Sequence, residues 1–146
     1  MQEFCNSLRS VLLALFKAES DELPGILQWV RKSLQNVALP LPEIRKVELA
    51  LEEAIVNIIR HAYPNSSGQL EIICQHVPQK KLVFIIKDKG TPFNPLTRNN
   101  QPILNETVEE VEEGGLGILL MRKCVDEVRY ERLHSYNVLT LIKKLD

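Results

Sequence analysis

The stretch Pro42–Tyr63, PEIRKVELALEEAIVNIIRHAY, decides how the rest of the chain is read. It has the pattern of a long helix. Pro42 suits a first helical position, where its missing N–H is no loss, and Pro64 lies just beyond the end. Ile44, Val47, Leu51, Ala54, Ile55, Ile58 and Ala62 recur at helical spacing and form a stripe for burial. Beside that stripe stand Glu53 and Asn57. Four residues apart, they place a carboxylate and a carboxamide one above the other on one face. Such a pair is ordinary on a solvated helix edge, but next to an apolar stripe an unpaired polar side chain is costly. What the pair is for depends on the sequence downstream.

Toward the C-terminus, Asn65-Ser66-Ser67-Gly68 makes a turn, and Gln69–Val77 and Lys81–Lys87 read as strands joined around Pro78–Lys80. The unbroken apolar run Leu82–Ile86 predicts a strand covered on both faces. Between Gly90 and Gly114 regular structure thins out, with Pro92, Pro95, Asn99, Asn100 and Pro102 followed by the acidic Glu106–Glu113. A connection this long in a compact domain points to a lid or a disordered segment. Leu116–Val125 then reads as a helix, and Glu127–Leu133 with Tyr136–Lys144 as a hairpin turning at His134-Ser135. Toward the N-terminus, Ser10–Ala18 reads as a strand, although its Leu and Ala residues leave a helix open. A second amphipathic helix carries Leu23, Ile26, Leu27, Val30, Leu34 and Val37, capped by Ser20 or Asp21. The order β-α-α-β-β-lid-α-β-β predicts an α+β fold. It is a two-layer α/β sandwich with three main helices on one face of a mixed, mostly antiparallel sheet.

Composition narrows the function classes. A chain of 146 residues, 45% hydrophobic and 25% charged, is expected to fold as a single domain over 1–146. A net charge of −1 gives no general attraction to nucleic acid or to an anionic membrane. Cys5, Cys74 and Cys124 are scattered, with no CxxC spacing, which argues against a disulfide framework or a zinc site and for a reducing, cytoplasmic setting. The apolar run Val11–Phe16 is too short to span a bilayer and lacks the flanks of a signal peptide.

Three local features bear on chemistry. Glu53 and Asn57 are the first. The second is Asp88-Lys89-Gly90-Thr91-Pro92-Phe93, directly after the apolar strand. An acid at a strand end can accept from a ligand amino group, and a following glycine lets backbone pass close by. The third is Gly114-Gly115-Leu116-Gly117, which opens a helix where backbone N–H groups and the helix dipole favour phosphate. No Gly-Lys-Ser/Thr follows, so this is not a P-loop, and no βαβ unit surrounds it. Each feature alone is weak, since Asp-x-Gly is also turn sequence and paired glycines also make hinges.

Together, in this order, they resemble the GHKL (Bergerat-fold) ATPase superfamily: its N box, its G1 and G2 boxes, and the lid between them. Within it the chain is similar to the small anti-sigma-factor serine-protein kinases of bacteria, over about Leu15–Lys144. The cues are Glu53-Ala54-x-x-Asn57 continuing to His61-Ala62-Tyr63, Asp88-x-Gly90-x-Pro92-Phe93, and Gly115-Leu116-Gly117 leading to Met121. Pro92 stands where the broader superfamily often has glycine.

The resemblance implies ATP and Mg²⁺ as cofactors. Asn57 would hold the ion, and Glu53 would be the general base toward a serine hydroxyl. Asp88 would accept from the adenine amino group, with Gly90 giving backbone access to the purine. Gly115, Leu116 and Gly117 would present N–H groups to the phosphates, and Thr140 would reach adenine through water. Arg98 in the lid (about 95–114) is a candidate γ-phosphate contact, and His61 either lines the pocket or closes the helix as a cation. The five glutamates and few apolar anchors of 97–114 suggest a lid ordered by nucleotide. The implied partners are a sigma factor, an anti-anti-sigma (STAS-type) antagonist and a second copy of the chain, joined through the N-terminal segment. No direct nucleic-acid or membrane contact is implied. An alternative is an ATP-dependent partner-switching protein with little kinase activity. A histidine-kinase module would need a phospho-accepting helical hairpin, whereas His61, His76 and His134 all fall within the ATPase pattern.

Overall fold

The computed structural model describes residues 9–98, 101–102 and 116–146. The decisive helix, α2, runs Leu41–His61 with Pro42 inside its first turn, and buries Val47, Ala50, Leu51, Ala54, Ile55, Asn57 and Ile58. Before it come strand β1 (Ser10–Lys17), a short 3₁₀ turn and helix α1 (Leu23–Ser33). α1 stops four residues short of Val37, because turns follow at Leu34–Asn36 before Pro40. After α2 come β2 (Gln69–Val77), β3 (Lys81–Asp88) and a two-residue pair, β4 (Thr97–Arg98) with β5 (Gln101–Pro102). That pair is an addition to the sequence reading. Helix α3 (Leu116–Cys124), β6 (Glu127–Leu133) and β7 (Tyr136–Lys144) complete the order.

The sheet has strand order β1-β2-β3-β7-β6, and all four neighbouring pairs are antiparallel. The expected parallel component is absent among the described residues for a topological reason. β6 follows β3 through α3, a connection that would favour parallel pairing, but the β6–β7 hairpin inserts β7 between them. His134 and Ser135 at that hairpin both have positive φ (50° and 74°), the conformation of a two-residue I′ turn.

Period-2 alternation divides the sheet into two faces. Leu70, Ile72 and Cys74 of β2, Leu82, Phe84 and Ile86 of β3, and Leu139 and Leu141 of β7 pack with all three helices in one core. The other face carries Leu13, Ile73, Ile85 and Thr140, aligned across four strands. The core that includes the helices draws on none of these four residues, although Val83 on the same face is itself buried. The Leu82–Ile86 run is therefore covered by helices on one side only, contrary to the two-sided cover its composition implied. No described helix is long and apolar enough to cross a membrane.

Tyr63, just past α2, ties the helix end to the sheet. Its hydroxyl donates to the Gln69 carbonyl (2.6 Å) and accepts from the Lys89 N–H (2.9 Å). Burial pushes its ionisation up, and the ring occupies the space a Cβ on Gly68 would need, 2.1 Å away. The end of α2, the start of β2 and the end of β3 therefore meet at one point. The candidate site lies beside it.

Candidate nucleotide site

At that end of the sheet, strand register sets Leu70, Asp88, Asn137 and Arg132 in one row across β2, β3, β7 and β6, on the helix-covered face. Above the row, between sheet and α2, lies a narrow cleft. It is lined by Ala54, Asn57, Ile58, Ala62, Asp88, Phe93, Pro95, Tyr130, Asn137 and Leu139. Such a narrow, mostly apolar space with a few convergent polar groups is the usual form of a small-molecule site.

Two residues of the sequence reading face each other across this cleft. Asp88 is 4% exposed, and its Oδ1 accepts from the Gly90 N–H and from Asn137 Nδ2, both at 2.9 Å. Asn57 is 9% exposed, and its buried Nδ2 has no hydrogen-bond partner among the described residues. An unmet buried donor costs roughly 1–3 kcal/mol, more than a folded chain tolerates without a reason. A polar ligand in the cleft is such a reason, and a carboxamide offers an oxygen to a hard cation as readily as a nitrogen to an acceptor. The position therefore fits a Mg²⁺–phosphate group. Among the described residues no cluster of three His, Cys, Asp or Glu could hold a metal alone, so such an ion would draw most of its ligands from phosphate and water.

Glu53, one turn before Asn57, is partly buried and does not line the cleft. It lies instead under the start of α3: a Cβ on Gly117 would sit 2.5 Å from Glu53 Oε2. The start of α3 thus passes close over the Glu53 carboxylate at Gly117. Ile118 and Met121, buried beyond it, fasten the helix to the core. Asp88 thus shares the cleft with Asn57, and Gly117 lies against Glu53 one helical turn away. Leu116 opens α3; Gly115 and lid residues 99–100 and 103–114 lie outside the described residues.

Gly90 has a different local reason from the one expected. A Cβ there would lie 2.2 Å from the Ala62 carbonyl oxygen at the end of α2. The loop is pinned at this point by the Thr91 N–H donating to the same oxygen (2.8 Å) and by Arg132 Nη1 donating to the Gly90 carbonyl (2.8 Å). His61 is exposed and stacks on Phe93, with ring centroids 4.7 Å apart and planes at 26°, so it supports one wall of the cleft from outside. Arg98 falls in β4.

Thr140 is a correction. It pairs with Ile85 and Arg129 on the face away from the helices, three residues from Asn137 and so of opposite parity. Its side chain is directed away from the cleft, and a water-mediated contact to a ligand there is out of reach. The residues missed in its place are Asn137, Tyr130 and Arg132. A signal was available: Asn137 shares parity with Leu139 and Leu141, so a carboxamide occupies a core-facing position of an otherwise apolar strand.

Cys5 lies outside the described residues, and the two described cysteines offer no competing chemistry. Burial pushes the Cys74 thiol up to about 11 and raises that of Cys124 as well, so both are poor nucleophiles near neutral pH.

Comparison with known proteins identifies the family. The histidine kinase-like ATPase domain family matches residues 16–143. "Serine-protein kinase RsbW" of Bacillus subtilis (strain 168) is 30% identical over 125 residues, covering 80% of this chain and 77% of that protein. The protein of the same name from Bacillus cereus (strain ATCC 10987 / NRS 248) is 30% identical over 105 residues, covering 70% of this chain and 64% of its own length. That from Staphylococcus aureus (strain MSSA476) is 33% identical over 91 residues, covering 59% and 57%. The aligned stretch is thus less than two thirds of the last two proteins. An ATPase domain of this kind implies ATP binding, and the chain belongs to the histidine kinase-like ATPase domain family of the GHKL superfamily, within which it resembles the RsbW serine-protein kinases.

Proposed function

We propose that this chain is a cytoplasmic serine-protein kinase and anti-sigma factor. It would use Mg-ATP to phosphorylate a serine on an anti-anti-sigma antagonist of the STAS type, and would hold a sigma factor when that antagonist is phosphorylated. The observation that carries the reading is the convergence of Glu53, Asn57 and the start of α3 beside the Asp88 cleft. The names of its relatives support a serine-bearing protein as the substrate class.

The residues divide the work by position. Asp88 would accept from the base, and Asn57 would stand toward the phosphates. The N-terminus of α3, with Gly115, Leu116 and Gly117, offers N–H groups and a helix dipole to anionic oxygens. Bound Mg-ATP supplies an activated phosphoryl group whose negative charge the ion neutralises. Glu53 stands one helical turn from Asn57, where it takes the proton of an incoming serine hydroxyl. The new bond joins the serine oxygen to phosphorus, the bond to ADP breaks, and the proton resides on Glu53.

Two further parts belong to this reading. Residues 95–114 act as the lid over the phosphates, and two copies of the chain associate through the N-terminal strand. In support of the second, Val11, Leu13 and Leu15 of edge strand β1 are 54%, 57% and 58% exposed on the face away from the helices, an apolar row suited to a partner.

The test is phosphoryl transfer to whichever serine-bearing protein co-purifies with the chain in the absence of ATP. Transfer of the γ-phosphate to that serine is expected. Nucleotide-dependent release with no phosphoserine would replace the kinase by a partner-switching binding protein. Asn57→Ala gives a narrower prediction. Calorimetric ATP affinity should fall chiefly when Mg²⁺ is present, because the lost ligand acts through the ion. An equal loss in EDTA would remove Asn57 from the metal site.

A further inference from the structure

Asn137 has four hydrogen-bonding capacities, and the fold uses all of them. Nδ2 donates to Asp88 Oδ1 and to the Thr91 carbonyl, each at 2.9 Å. Oδ1 accepts from the Phe93 N–H at 3.3 Å and from the Tyr130 hydroxyl. The orientation of the carboxamide follows from its partners. The Thr91 carbonyl can only accept and the Phe93 N–H can only donate, so turning the amide over would oppose like with like. Asp88 Oδ1 meanwhile accepts from both Asn137 and the Gly90 N–H. Its second oxygen, Oδ2, takes no hydrogen bond among the described residues. A carboxylate tethered twice through one oxygen cannot rotate without losing both bonds, so the direction of the other oxygen is fixed.

We infer that Asn137, acting through Asp88, is the positioning residue that gives the cleft its preference for a 6-aminopurine. This rests on the nucleotide reading above. The exocyclic amine of such a base donates to Oδ2. A purine without the amine leaves a buried carboxylate oxygen unpaired, and a 6-oxo purine sets acceptor against acceptor. Both penalties depend on Oδ2 staying aimed into the cleft. Asn137 fixes that aim from the neighbouring strand while also holding Thr91 and Phe93 of the loop, and Tyr130 braces Asn137 from β6. Without Asn137, the Gly90 N–H alone would hold the carboxylate, which could then swing to meet either kind of base.

The experiment compares ADP with purine riboside 5′-diphosphate, which differs by lacking the 6-amino group. Both are titrated calorimetrically into the full chain as wild type, Asn137→Ser and Tyr130→Phe, with thermal melting as the check on folding. The wild type should prefer ADP roughly 10- to 100-fold, the scale of one hydrogen bond to a charged group. In Asn137→Ser the affinity for ADP should drop while that for the purine analogue stays, leaving a ratio below roughly threefold. Tyr130→Phe keeps Asn137 and three of its four bonds, so its ratio should fall between the two. It decides the matter if Asn137→Ser does not fold. A ratio retained in the variants overturns the proposal, and so does an equal loss of both ligands, which is the mark of a purely structural residue. A wild type that binds neither ligand overturns the nucleotide reading itself.

Discussion

Glu53→Ala is expected to lower phosphoryl transfer by roughly 10²–10⁴-fold, the usual scale of general acid–base assistance, while leaving Mg-ATP affinity close to that of the wild type. The separation follows from where the side chain lies. Glu53 is absent from the lining of the cleft that holds Asp88 and Asn57, so a bound nucleotide would lose little when it is truncated. It sits against Gly117 at the start of α3, where the terminal phosphate and the incoming hydroxyl would meet. Single-turnover transfer and calorimetric affinity, measured on the same preparation, check the prediction. An equal loss in both would make Glu53 a binding or structural residue.

Gly90→Ala should be the most damaging small substitution for the fold around the site. The added carbon would meet the Ala62 carbonyl at 2.2 Å, and that oxygen belongs to the rigid end of α2, not to a flexible side chain. Either the loop or the helix end must move. Overpacking of this kind costs roughly 1–3 kcal/mol. The shift would also disturb the Thr91 N–H bond to Ala62 and the Arg132 bond to the Gly90 carbonyl, which hold the loop beside Asp88. A lower urea midpoint together with weaker ATP binding is expected. An unchanged midpoint would mean that the close approach of loop and helix is not a feature of the folded protein.

The contrast between Gly90 and Thr140 shows where a sequence can be read and where it cannot. α2, the β2–β3 pair and the β6–β7 hairpin were legible because periodicity and turn residues are local properties. The pairing of Glu53 with Asn57 was legible for the same reason, since a helix fixes the relation of residues four apart. Which face of a strand a residue occupies was equally local, and parity alone separates Asn137 from Thr140 in YNVLTLIKK. The insertion of β7 beside β3 was not local. It depends on how a hairpin folds back across α3, and it is what brings Asn137 opposite Asp88. The reason for glycine at 90 was hidden likewise, because Ala62 lies 28 positions earlier and meets it only in the folded chain. The exposure of Leu13 and Leu15 was the other long-range fact. Alternation says they share a face, but only the assembled sheet reveals that both stay exposed.

The measurement closest to the central claim is calorimetric titration of ATP, with Mg²⁺ and with EDTA, into the wild type and Asp88→Asn. The oxygen of the new carboxamide would stay with the Gly90 and Asn137 donors, turning its N–H₂ toward the cleft, donor against the adenine amine. The account predicts one ATP per wild-type chain and a loss of roughly 10-fold or more in Asp88→Asn in both conditions, with an unchanged melting temperature. Equal affinity in the two proteins, or no ATP binding by the wild type, would contradict it.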